Sequence, residues 1–350
     1  MKITAWVPLC LFMFFACLSC RKPPAPVEPV KEKEPHLYLT GTVWDDVNKK
    51  YKAFLLKDEA LSFLNNSDES AAVLSITVQG TDIYLGGYLN KPSSKSQIAC
   101  YWKNGTRVDI DTDQDFGSSA VSIAVSNNTV YTCGWQNGSA VYRKNGTTFK
   151  AAISPSGRDT YNAIAISGND IYIGGYYTSA TTFKAVPTYW KNDVLAQLPA
   201  PAGHHGIVQD IAIKGADFYA VGYTLEEDGK NEVATYWKNG TPVKLGDGSV
   251  STQIKSIAIA GDDIYMAGTI NRKTMVCWKN DKIIFTDVTT PQESSYPMDI
   301  YIFKNDVYIA GNLYLNNISS KPLYWKNGER HIINNTALAG CTTYGIAVLP

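Results

Sequence analysis

Histidine is scarce in this chain, with four in 350 residues. That leaves little material for a His-built metal centre or a His-based catalytic triad. No sign of charge prevails either, since 32 basic side chains balance 32 acidic ones. A chain without a net positive field lacks the electrostatic footprint that phosphate backbones require, which argues against nucleic acid as the main partner. The one long apolar run, Ala5 to Leu18, falls short of the roughly 20 residues that a spanning helix needs. Charged residues are only 18% of the chain and apolar ones 45%, a globular composition that excludes disorder over most of the length. What the sequence has in plenty is aromatic, with 22 Tyr and 8 Trp.

Residues 1–19 have the layout of a secretory signal: Lys2, the apolar run, then the small residue Ser19 before Cys20. The ending Cys17-Leu18-Ser19-Cys20 resembles a bacterial lipobox, with Cys17 standing where Leu is usual. The resemblance implies that Cys20 is the lipidated first residue of the mature chain, and that the protein is exported and lipid-anchored to the cell envelope at the outer membrane. Residues 20–35 are proline-rich and charged, a composition that cannot bury a core and behaves as an extended tether. Cys100, Cys133, Cys277 and Cys341 lie beyond the tether. They fall in different units of the repeat described next, so free and mostly buried thiols are expected.

Internal repetition dominates residues 36–350. One segment recurs as ITVQGTDIYLGGY, IAISGNDIYIGGY, IAIKGADFYAVGY and variants. In six copies the first Ile (Ile76, Ile123, Ile164, Ile211, Ile257, Ile300) precedes a Gly (Gly87, Gly134, Gly175, Gly222, Gly268, Gly311) by eleven residues. A second segment of the type YWKNG follows each, with Trp at 102, 190, 237, 278 and 325 and Arg143 in its place once. Short β-branched and aromatic runs bounded by Gly, Asn and Asp predict four-stranded antiparallel meanders, and Asn-Gly predicts a type I′ turn between the third and fourth strands. The body starts at Leu37-Tyr38-Leu39-Thr40-Gly41, which matches a second strand, and ends at Tyr344-Gly345-Ile346-Ala347-Val348, which matches a first strand. Joining the ends completes a seventh unit, which only a closed ring requires. The fold class is all-β, a seven-bladed β-propeller closed by the N-terminal three strands and the C-terminal strand.

The pattern is distantly similar to kelch repeats through Gly86-Gly87 and Gly174-Gly175, although its Trp is not at the kelch spacing. It resembles more closely a group of exported bacterial lipoproteins with tandem YWKNG-type repeats. That resemblance covers about residues 36–350 and implies a propeller, with no activity attached.

Tyr and Trp that recur at one place in every unit are expected to pack blade against blade. Function should lie where the copies differ, in the loops leading into the first strands and around the channel mouth. Tyr161, Asn162, Gln209, Asp210, Lys255, Asp299 and Tyr344 are the candidates there. Asp210 and Asp299, two blades apart, are placed to act as an acid/base pair on a common ligand. Asp111, Asp113 and Asp115 alternate as at the start of a calcium loop, but the Gly is displaced to Gly117 and no closing Glu follows. Ca2+ is therefore a weak expectation and a solvated acidic turn the stronger one; no other cofactor is implied. His204-His205, adjacent and without a third ligand, read as a surface loop.

The tether, the neutral charge and the lack of a catalytic signature favour a binding protein whose loop face holds a glycan, peptide or protein. The alternative is an exported carbohydrate-active enzyme, a glycoside hydrolase or polysaccharide lyase, with carboxylates at the channel mouth. Two carboxylates about 5–10 Å apart in a concave pocket would favour the enzyme.

Overall fold

In the fourth blade, the strands Gly206–Lys214, Asp217–Leu225, Glu232–Lys238 and Thr241–Lys244 pair in sequence order, each antiparallel to the next. The second and third strands are buried almost throughout because neighbouring blades cover both their faces, whereas the fourth lies at the rim with most residues exposed or half-buried. The computed structural model describes residues 34–350 apart from 94–95, 113–115, 201–204, 226–229 and 317–318. The signal sequence, Cys20 and nearly all of the tether lie outside the described residues.

Six sheets with this order (blades I to VI, residues 70–109, 118–149, 159–197, 206–244, 252–286 and 293–332) are joined by a seventh of mixed origin. In that blade the C-terminal strand Thr342–Leu349 pairs with His36–Asp45, from His36 opposite Leu349 to Thr42 opposite Thr342. The protein is a seven-bladed β-propeller. Each first strand touches the first strands of its two neighbours, and 342–349 touches 70–79, so the ring is complete.

The recurrent YWKNG segment is explained by one local network. In blade IV, Asn239 and Gly240 have φ of 49° and 85°, the positive pair that a type I′ turn demands. Asn239 Oδ1 accepts the Phe218 N–H at 2.8 Å, and its Nδ2 donates to Asp217 Oδ1 at 2.8 Å. Lys238 Nζ stands 3.0 Å from Asp217 Oδ2 and 5.4 Å from the centre of the Tyr219 ring. A Lys covers the corresponding Tyr in all seven blades, at 5.0–5.7 Å. Each such cation–π contact at a wet surface is worth about 0.5–1 kcal/mol.

The five Trp are fully buried between blades. Trp102, Trp190 and Trp237 each donate their indole N–H to a carbonyl of the preceding blade or its exit loop (Leu64, Ala152 and Pro199), at 2.8–3.0 Å. Where Arg143 replaces Trp, the partner is replaced as well. Its Nη2 reaches Asp111 Oδ2 at 2.9 Å from a side chain that is 1% exposed. Cys100, Cys133, Cys277 and Cys341 are free thiols and all buried.

Candidate functional site

Every first strand carries one extra residue. The pairing register slips between Val73 and Ser75, Ala120 and Ser122, Tyr161 and Ala163, Val208 and Asp210, Ile254 and Ser256, Pro297 and Asp299, and between the partners of Thr40 and Gly41. The skipped residues are Leu74, Val121, Asn162, Gln209, Lys255, Met298 and Tyr344. A β-bulge leaves its extra residue outside the ladder and re-aims its side chain. The repeated Gly of the second strand is what admits the bulge. A Cβ on Gly87, Gly175, Gly222 or Gly268 would coincide with the carbonyl oxygen of Ala72, Thr160, Ile207 or Gln253 on the bulged strand.

All seven bulge residues line a cavity of about 480 Å³ on the axis, a volume typical of small-molecule sites. Its wall is divided. Blades III to V contribute Asn162, Gln209 and Lys255, and blades VI, VII, I and II contribute Met298, Tyr344, Leu74 and Val121. Asn162 Nδ2 is engaged by the Val208 carbonyl at 2.7 Å. Among the described residues, no hydrogen bond or ion pair reaches the side chains of Gln209 or Lys255. Burial pushes the Lys255 ammonium below its ordinary range, with Glu232 as the opposing influence. Burial also raises the Tyr344 phenol, followed by the nearby phenols of Tyr88, Tyr314 and Tyr51.

Directly after the bulge come Asp210 in blade IV, Ser256 in blade V and Asp299 in blade VI, all on the cavity wall. Ser256 Oγ lies 2.9 Å from Asp210 Oδ2 and 3.1 Å from Asp299 Oδ1. Each carboxyl also bridges to the next blade: Asp210 Oδ2 accepts the Ile257 N–H and Asp299 Oδ2 the Ile346 N–H, both at 3.0 Å. Their other oxygens accept the N–H of Ile211 at 2.8 Å and of Ile300 at 2.9 Å. Burial pushes the Asp210 carboxyl up to about 6 and the Asp299 carboxyl up to about 7, the latter helped by the charge of Asp210. One hydroxyl has one proton to donate, so contact with both carboxyls requires a carboxyl proton as well. Burial favours the protonated form of both carboxyls, so the proton is held within the Asp210–Ser256–Asp299 group.

The structure thus gathers Asn162, Gln209, Asp210, Lys255, Asp299 and Tyr344 around one cavity, though inside the first strands and not in the loops that precede them. Tyr161 is a correction. It precedes the bulge, is 3% exposed, meets the Trp190 ring of its own blade edge-on at 4.6 Å and shares a buried cluster with Tyr131, Cys133 and Tyr142 of blade II, so it belongs to the packing between blades. Leu74, Val121, Met298 and Ser256 were not expected. In six blades the bulge residue stands thirteen positions before the repeated Gly, a spacing that marks Leu74, Val121 and Met298, with Ser256 one position after its bulge.

The Asp111 carboxylate pairs with Arg143 at 2.9 Å and accepts from Gln136 Nε2 at 2.7 and 2.8 Å, which is the geometry of a buried counter-ion and not of the solvated acidic turn expected. Asp113 and Asp115 lie outside the described residues. No group of three His, Cys, Asp or Glu among the described residues is placed to hold a metal ion. His205 accepts the Ala185 N–H at 3.3 Å and stacks on Tyr223 at 5.9 Å; His204 lies outside the described residues.

The fold has solved counterparts. It is similar to a puromycin-hydrolyzing peptidase of Mycobacterium tuberculosis, with a TM-score of 0.57 at 7% identity over 86% of this chain and 52% of that one. The likeness is one of fold. The chain spans about half the length of the peptidase it matches. Chaetomium thermophilum Raptor gives a TM-score of 0.45 at 10% identity over 74% of this chain and 24% of that one. No family model matches the sequence, and no curated protein does.

Proposed function

We propose that the protein is an exported, lipid-anchored binding protein that holds its ligand on the propeller axis. The observation that carries this reading is the division between conserved geometry and varied chemistry in one molecule. Seven blades repeat the same bulge, yet the seven side chains it turns into the cavity are all different in kind or size, and Gln209 and Lys255 there have no partner within the described protein. A polar group without a protein partner in a concave site is available to a ligand. The signal-like start, Cys20 and the tether support placement at the envelope, with acyl chains supplying the anchor.

A second reading, an exported carbohydrate-active enzyme, is favoured by the Asp210–Ser256–Asp299 group, where one proton sits between two carboxyls on a cavity wall. Against it, four backbone N–H groups and one hydroxyl already engage the carboxyl oxygens. That pattern fastens blades together and leaves little freedom for proton transfer to a substrate.

Thermal-shift measurements of the full chain against soluble glycan fragments and short peptides test the binding reading. A ligand that raises Tm is expected to lose its effect in Val121→Trp, which fills the cavity from a position outside the strand ladder. An unchanged shift in that variant removes the axis as the site. Turnover by the wild type that Asp210→Asn with Asp299→Asn abolishes would replace binding by catalysis. Cys20→Ser is expected to release the protein from the membrane fraction, and unaltered fractionation overturns the anchor.

A further inference from the structure

The chemistry of the cavity wall narrows the ligand. Among the described residues Lys255 is the one basic side chain on that wall, and it has no counter-ion there. Among the described residues the carboxylate that acts on it is Glu232, which is already held by Arg272 at 2.9 Å and by Gln253 at 2.6 Å. Asp210 and Asp299 are closed to it as well, because their oxygens face backbone N–H groups and Ser256. An ammonium in a confined channel, without an anion of its own, favours a ligand that brings one. One cation without a second nearby matches a single carboxylate better than a dianionic phosphate. The neighbouring Gln209 amide offers both a donor and an acceptor to hydroxyl groups. Two blades away from Lys255, Tyr344 also lines the cavity with a ring that is apolar on its face and polar at its tip. Such a wall suits a ring that carries hydroxyls at its edge and C–H groups on its face.

We propose that the axial cavity binds a carboxylate-bearing saccharide, a uronic acid or related sugar acid, with its carboxylate on Lys255 and its ring against Tyr344. The proposal rests on the reading of the axis as the binding site. Calorimetric titration of the full chain with galacturonate and glucuronate, their methyl esters and the parent neutral sugars tests it. The acids are expected to bind at least tenfold more tightly than the esters or neutral sugars. Lys255→Met is expected to remove that preference with Tm unchanged, since residue 255 lies outside the strand pairing. Lys255→Arg keeps the charge and is expected to keep the preference. Equal binding of acid and ester by the wild type, or an undiminished preference in Lys255→Met, overturns the sugar-acid proposal while leaving the axial site standing. So does binding only to a peptide with a free C-terminus. Sugar binding that survives Val121→Trp overturns the axial site itself.

Discussion

At the scale of single residues, the chemistry is concentrated in the carboxyl pair on the channel wall. Both groups take up protons more readily in the folded protein than in the unfolded chain, whose carboxyls titrate near 3.9. The folded state therefore binds more protons than the unfolded state between that value and about 7. Stability from these groups is fully present at low pH and is lost as pH rises through the folded values. Asp299→Asn keeps an acceptor for the Ile346 N–H and a donor for Ser256, but does not titrate. Relative to the wild type, the variant is expected to gain in urea-unfolding free energy as pH is raised from 4 to 8. A constant difference across that range would show that Asp299 titrates as it does in the unfolded chain.

At the scale of elements, the bulged first strand and the glycine beside it form one device. Gly222→Ala places a methyl group on the Ile207 carbonyl, so the bulge cannot persist, and a loss of about 3 kcal/mol is expected. Gly215→Ala, at φ of 58° with no atom close to the new methyl, is expected to lose only about 1 kcal/mol. Comparable midpoints for the two variants in denaturant would show that the glycine serves the chain's flexibility and not the bulge. Here the limits of the sequence are plain. The strands, the Asn-Gly turns and the ring closure were legible because seven copies average away local accidents of propensity. Of the cavity residues, Asn162, Gln209, Asp210, Lys255, Asp299 and Tyr344 stand out through their variability but are expected in loops, and Leu74, Val121, Met298 and Ser256 do not stand out, because a register slip has no composition of its own. Tyr161 was mistaken for a wall residue for the same reason: one position decides whether a side chain faces the axis or the next blade. The Arg143–Asp111 pair is not legible in the sequence, where Arg143 reads as a replaced Trp and Asp111 as part of an acidic turn or calcium loop, since their sites lie in adjacent blades.

At the scale of the whole molecule, stability depends on a single non-covalent seam. His36–Asp45 pairs on its inner side with Thr342–Leu349, so the first and last parts of the folded chain must meet before the seventh blade is complete and blades I and VI are enclosed on both sides. Truncation after Gly340 is expected to abolish cooperative unfolding, or to lower Tm by more than 15 °C, and to open an edge prone to association. Calorimetry and size-exclusion chromatography check this, and a monomeric variant with the wild-type transition would refute it. The bulges have a different consequence. Because each turns a residue towards the axis without using it for pairing, the lining of the channel and the integrity of the ring are separate ledgers of sequence. The seven positions behave like the tumblers of a lock set in a fixed barrel, so related chains can be rekeyed for new ligands by drift at those positions alone.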